Sequence, residues 1–110
     1  STDLYAIPEM VIDGKNGYLT KPKYRFFDQN NMPNEEVWNN RKETIYSNFV
    51  DEQIVRFLFE KLKLLYCDRE LLEKLSINSF IMSNNDDFNE ENIKNKWSNL
   101  IFQLITKNEV

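Results

Sequence analysis

Few side chains in this sequence can do chemistry alone, and the residue types it lacks narrow the field further. Its 110 residues include no histidine, which removes the commonest general base, the Ser-His and Cys-His nucleophile pairs and most catalytic zinc sites. The only glycines, Gly14 and Gly17, share one turn, so no phosphate-cradling loop of the P-loop or dinucleotide type is present. Cys67 ends an apolar stretch and has no histidine partner, so it reads as an inert packed thiol. The paired acids Glu35-Glu36 and Asp86-Asp87 offer oxygen ligands for a cation, but at a turn and just before a helix they read as solvated or capping groups. Lys15, Lys21, Lys23 and Arg25 interleave with Tyr18, Tyr24, Phe26 and Phe27, with no acid between Asp13 and Asp28. Such a cluster could touch an anionic membrane surface or a lipid-diphosphate, but it reads first as a strand and loop whose aromatics pack while the lysines stay in water. No complete catalytic site can be assembled from these residues.

The bulk composition agrees with one domain or part of one. A chain of 13.3 kDa has room for a single modest core, and 41% apolar, 14% aromatic and 29% charged residues of mixed sign are ordinary globular values. A net charge of −4 and an isoelectric point near 4.9 remove the broad positive field on which non-specific nucleic-acid binding rests, so no nucleic-acid partner is expected. One cysteine cannot form an internal disulfide, and no stretch reaches the roughly 18 apolar residues of a membrane span. These features lead us to expect a reducing, cytoplasmic setting. The start at Ser1, without a methionine or lead-in, leads us to expect an upstream segment that is missing here.

The positioning elements follow from turn residues and periodicity. Asp13-Gly14-Lys15-Asn16-Gly17 is a turn, flanked either by a hairpin over residues 10–20 or by a short helix opened by Pro8 with a strand over Gly17 to Thr20. Residues 21–47 hold no regular period, are punctuated by asparagines and Pro33, and read as a mobile insertion loop with one helical turn around Glu35 to Asn39. Residues 48–110 predict three helices. Asp51 caps the first, which runs to about Cys67 with Ile54, Leu58, Leu62 and Leu65 as its stripe. Asp68 caps the second, which ends near Met82 and turns Leu71, Leu72 and Leu75 inward. Asn89 caps the third, whose Ile93, Trp97, Leu100, Ile101, Leu104 and Ile105 share one side and are expected in the core. Three helices and one or two strands leave strand backbone unpaired, so a sheet supplied from elsewhere is expected.

One segment carries a resemblance. Ile7-Pro8-Glu9-Met10-Val11-Ile12-Asp13-Gly14-Lys15-Asn16-Gly17-Tyr18-Leu19 resembles the family-4 (group 1) glycosyltransferase pattern of a small residue, two residues, Glu, two hydrophobics, two residues, Gly, two residues, Gly, an aromatic and Leu. The order of three following helices, with Phe88 and then Trp97 in the last, is similar to that family as well; residues 21–47 are longer than its norm. The resemblance implies an α/β fold, the C-terminal part of a Rossmann-like GT-B domain, mainly α-helical in this chain with one or two short strands. It implies a nucleotide-sugar donor, retention at the anomeric carbon, no metal cofactor and a glycan or lipid-linked acceptor of the surface-polysaccharide kind. The family's glutamate pair, spaced by seven residues, is absent, so no catalytic residue is expected here. Leu4-Tyr5-Ala6 aligns with a Gly-rich turn whose amides approach the donor diphosphate, although no glycine stands there. Asp3, Leu4, Tyr5, Ala6 and Glu9 are therefore the expected donor-side residues, with Glu9 equally readable as an acid at a helix N-terminus. Lys21, Lys23 and Arg25 are the expected acceptor or membrane contacts. The implied enzyme is cytoplasmic or peripheral on the inner face of the membrane. The alternative from another class is a small helical interaction module whose apolar helix faces dock a partner.

Overall fold

The computed structural model describes residues 1–85 and 87–107. Its elements are five helices: α1 Ile7–Met10, α2 Glu35–Asn39, α3 Glu52–Cys67, α4 Arg69–Asn85 and α5 Glu90–Lys107. No sheet forms among the described residues, which corrects the expected Rossmann-like α/β fold. The β pairing present is confined to isolated bridges. Thr2 pairs with Thr20 in parallel, fastened by Asp3 N–H to Thr20 O and Thr20 N–H to Ser1 O, each 3.0 Å. A ladder that short has no third segment to extend it, and two strands alone are marginal in water.

The hairpin about the Gly14–Gly17 turn does not form, for a local reason. Asn16 Oδ1 accepts from Ile12 N–H at 2.7 Å, its Nδ2 donates to Met10 O at 2.9 Å, and Asp13 Oδ1 accepts from Leu19 N–H at 2.8 Å. Side chains thus take the backbone groups a ladder would use. Pro8 instead opens the four-residue α1. Gly14 sits at φ +72°, where glycine carries no steric penalty.

Residues 21–47 are organised by similar side-chain bonds. Asp28 Oδ1 accepts from the N–H groups of Asn30 and Met32 at 2.8 and 2.9 Å, an Asx turn that holds Asn31 at φ +58°. Asn34 caps α2, and Trp38 on that helix donates Nε1–H to Phe26 O at 2.9 Å while its ring lies 4.8 Å from that of Phe26. Val37 and Thr44 are buried beneath. The insertion is therefore a small folded lobe with one helical turn at the expected place.

The longer helices begin at the expected caps. Asp51 accepts from Gln53 and Ile54 N–H, Asp68 from Leu71 N–H and Asn89 from Glu91 and Asn92 N–H. α4 runs three residues past Met82. α3 and α4, joined through Asp68 alone, are the helix pair in contact among the described residues, and Leu75 and Met82 are their buried apolar residues. Ile54 and Leu65 are half-buried, but Leu58 and Leu62 of the same expected stripe are exposed. Cys67 is exposed too, not the packed thiol expected from its apolar neighbours.

α5 departs furthest from expectation. Every residue from Glu90 to Lys107 is exposed, and Trp97, expected in the core, retains 62% of its accessible surface. Periodicity establishes that a helix has an apolar side; it does not supply the surface that covers it. The radius of gyration is 19.6 Å over extents of 58 × 45 × 18 Å, against about 13 Å for a compact chain of this length.

Candidate functional site

Two of the sequence segments singled out above meet in a cleft of about 180 Å³ between residues 3–8 and 25–31. Asp3, Leu4 and Tyr5 form one wall with Pro8; Arg25, Phe26, Phe27, Asp28, Gln29 and Asn31 form the other. The parallel pairing of residues 1–3 with Thr20 brings the first segment to the base of the second. The Asx turn at Asp28 then folds the far wall over it.

Tyr5 stands at φ +52°, a left-handed conformation that costs an L-residue of this size steric strain and that functional turns commonly retain. It is the centre of the Leu4-Tyr5-Ala6 turn, where the resembled family pattern carries glycine. The turn closes with Ile7 N–H donating to Leu4 O at 3.1 Å. The N–H groups of Leu4, Tyr5 and Ala6 donate to no acceptor among the described residues, and successive free amides of this kind make a concavity for an anion.

Arg25 closes the cleft from the other side. Its Nη2 donates to Asp3 O at 2.8 Å and lies 3.5 Å from the Asp3 carboxylate. Among the described residues, two atoms enclosed here have no hydrogen-bond partner: Asp3 Oδ1 and Arg25 Nε. Asp28 lines the cleft as well, with Oδ1 occupied by its own turn amides. With two carboxylates beside one guanidinium, anion affinity here depends on directed N–H donors more than on net charge.

The remaining expected residues lie apart. Glu9 is exposed on α1 outside the cleft lining, and Ala6 precedes α1 without a side-chain cap. α1 has four residues, so the dipole expected at Ile7 to Glu9 is that of a single turn. The basic cluster is divided. Lys23 donates its backbone N–H to Asp51 at 2.9 Å and sets Nζ 5.3 Å from the rings of Tyr24 and Phe49, whereas Arg25 turns into the cleft and Lys21 is exposed. Phe27, Gln29 and Asn31 were missed as lining residues; the Asp28-x-Asn30 spacing, an Asx-turn signal, would have found that wall. Asp86 of the Asp86-Asp87 pair lies outside the described residues. Among the described residues no group of three His, Cys, Asp or Glu side chains is placed to hold a metal ion, and no helix is long and apolar enough to cross a membrane.

A second concavity of about 330 Å³ lies between α3, α4 and the Gly17-Tyr18 turn. Phe57, Leu58, Leu62, Leu65, Leu72 and Leu75 give it an apolar lining, and Lys61 lies across its edge with Nζ 4.2 Å from the Tyr18 ring centroid. Comparison with protein-family models, with curated proteins and with solved structures finds no match to this chain.

Proposed function

We propose that this chain is the donor-side portion of a nucleotide-sugar-dependent retaining glycosyltransferase that builds a capsule, exopolysaccharide or other surface glycan. The observation that carries the reading is Tyr5 at φ +52°. A turn that carries glycine in the resembled family is held here in a conformation natural to glycine, at a strain cost to tyrosine. Leu4 and Tyr5, whose amides are unbonded among the described residues, line the cleft that Arg25 closes, and Ala6 follows them directly in the turn. In this reading the turn amides and Arg25 Nη2 contact the donor diphosphate. Lys21 and Lys23 stand on the acceptor or membrane side, and the catalytic carboxylates belong to other parts of the enzyme. In this reading the transfer uses no metal cofactor, and the setting is the cytoplasm or the inner membrane surface.

Titration of the 15N-labelled chain with UDP, GDP and inorganic diphosphate tests this. The amide resonances of Leu4, Tyr5 and Ala6 are expected to move with a nucleoside diphosphate and to stay still in Arg25→Ala. No shift at these amides up to about 10 mM ligand, a concentration that would register binding weaker than 4 kcal/mol, overturns the reading. The reading as an interaction module is favoured by a different observation, the exposure of Phe59, Leu62, Trp97 and Phe102 on two helices.

A further inference from the structure

Two helices each present an uncovered apolar seam with the same spacing. On α3 the residues are Val55, Phe59, Leu62 and Tyr66, between 53% and 80% exposed. On α5 they are Ile93, Trp97, Leu100 and Leu104, between 40% and 62% exposed. Both step by four, three and four residues, the interval at which two helices interdigitate along a common seam. Each seam spans eleven residues of rise, about 16 Å, so the two match in length.

α5 cannot satisfy its seam alone. It touches no other helix among the described residues, and most helical stability in proteins comes from packing of an apolar face against a facing surface. The α4–α5 junction is fastened by Asn89 Nδ2 donating to Asn84 O and by Lys96 pairing with Asp87 at 2.6 Å, bonds that belong to the extended arrangement. The area involved is large. The chain exposes 9207 Å², whereas a compact monomer of its mass exposes roughly 6,450 Å². The excess of roughly 2,750 Å² per chain exceeds the ~800 Å² per partner of a standard interface and, over two chains, is roughly 5,500 Å², at the upper end of obligate dimers.

We infer that the covering surface is a second copy of this chain, with α5 of each copy laid antiparallel along the α3 seam of the other. Charge selects the direction. Antiparallel pairing sets Ile93 against Tyr66 and Leu104 against Val55, which in the same register brings Lys107 to Glu52. Parallel pairing, with Ile93 against Val55, would oppose Glu90 to Glu52 and Lys107 to Arg69. Antiparallel alignment also opposes the helix dipoles favourably. The exchange is reciprocal, so one two-fold axis closes it and buries both seams of both chains. This inference does not rest on the transferase reading.

Sedimentation equilibrium of the full chain over about 1–200 µM, with circular dichroism as the check on folding, tests the pairing across the micromolar range. A monomer–dimer equilibrium is expected. Leu62→Glu and Leu100→Glu, both at exposed positions, are each expected to weaken it at least tenfold with helicity of the α3–α4 pair retained. Lys107→Glu is expected to weaken it by about threefold to tenfold, and Lys107→Glu with Glu52→Lys to restore it, as exposed charge pairs of opposite sign do. A monomer at every concentration overturns the inference, as does a dimer indifferent to both leucine substitutions or an open series of larger oligomers. A chain that stays monomeric and binds anionic phospholipid vesicles through Trp97 overturns it in favour of a membrane surface. Nucleotide binding enters none of these readouts, so the pairing and the donor cleft can fail separately.

Discussion

Gly14 and Gly17 support the same turn for different reasons, and substitution separates them. A Cβ at Gly17 would lie 2.8 Å from Val11 Cγ1, well inside the ~3.5–4.0 Å of ordinary carbon contact. Val11 is β-branched and stiff about χ1, so it does not swing aside freely. Overpacking of this kind costs roughly 1–3 kcal/mol. The turn is tied to α4 by Asn78 Nδ2 donating to Lys15 O at 2.7 Å and Ser79 Oγ donating to Asn16 O at 3.1 Å, so the strain reaches the helix pair. At Gly14 a Cβ meets nothing within 4 Å, and the penalty is only that of an L-residue at φ +72°, about 1–2 kcal/mol. Asparagine tolerates that conformation, so Gly14→Asn is expected to be nearly neutral and Gly14→Ala to cost about 1 kcal/mol. Gly17→Ala is expected to cost about 2 kcal/mol, which lowers Tm by about 8–16 °C at the 4–8 °C per kcal/mol of a domain this size. Adding Val11→Ala to Gly17→Ala should recover at least about 1 kcal/mol relative to the sum of the single changes. Urea unfolding followed by far-ultraviolet circular dichroism reads all five variants. If Gly17→Ala is as mild as Gly14→Asn, or Val11→Ala gives no recovery, the close approach of Val11 to the turn is refuted.

Two further expectations follow from burial and charge. Leu75 is 5% exposed and Trp97 62%, so at concentrations where the chain is monomeric Leu75→Ala should cost about 2–3 kcal/mol and Trp97→Ala less than about 0.5 kcal/mol; equal losses in urea unfolding would place α5 in the core after all. Asp51 accepts backbone N–H bonds from Lys23, which is the largest effect, and from Ile54 and Gln53, and these hold its carboxyl below the usual value. A depressed folded-state pKa favours the charged form in the native chain, so its contribution is complete above the unfolded value near 3.9 and is lost as pH falls through the folded one. Urea midpoints from about pH 6 to pH 2 should therefore show the advantage over Asp51→Asn shrinking toward acid. A difference independent of pH would show that the carboxylate charge is not what caps α3.

Local chemistry was legible where one side chain could act on its own backbone. Asp51, Asp68 and Asn89 were recognisable as caps because each needs only the amides two or three residues ahead. The turn at Gly14 and the single turn of α2 likewise depend on neighbours within a few residues. The cleft was half legible. Leu4 and Tyr5 were marked by a resembled pattern, but Arg25 was assigned to a basic surface because nothing in its neighbours shows that its guanidinium reaches Asp3, 22 residues away.

The sequence by itself determined where helices start, which sides of them are apolar and where the chain turns, since these depend on periods and bonds spanning a few residues. Only the tertiary structure decided which apolar side is covered. Leu75 and Met82 find partners and become buried, while Leu62 and Trp97, equal in type and spacing, do not. Burial depends on a facing surface distant in sequence, and so does β pairing. That is why an expected sheet appears here as a two-residue parallel contact, and why an expected core helix stands with its whole length in water.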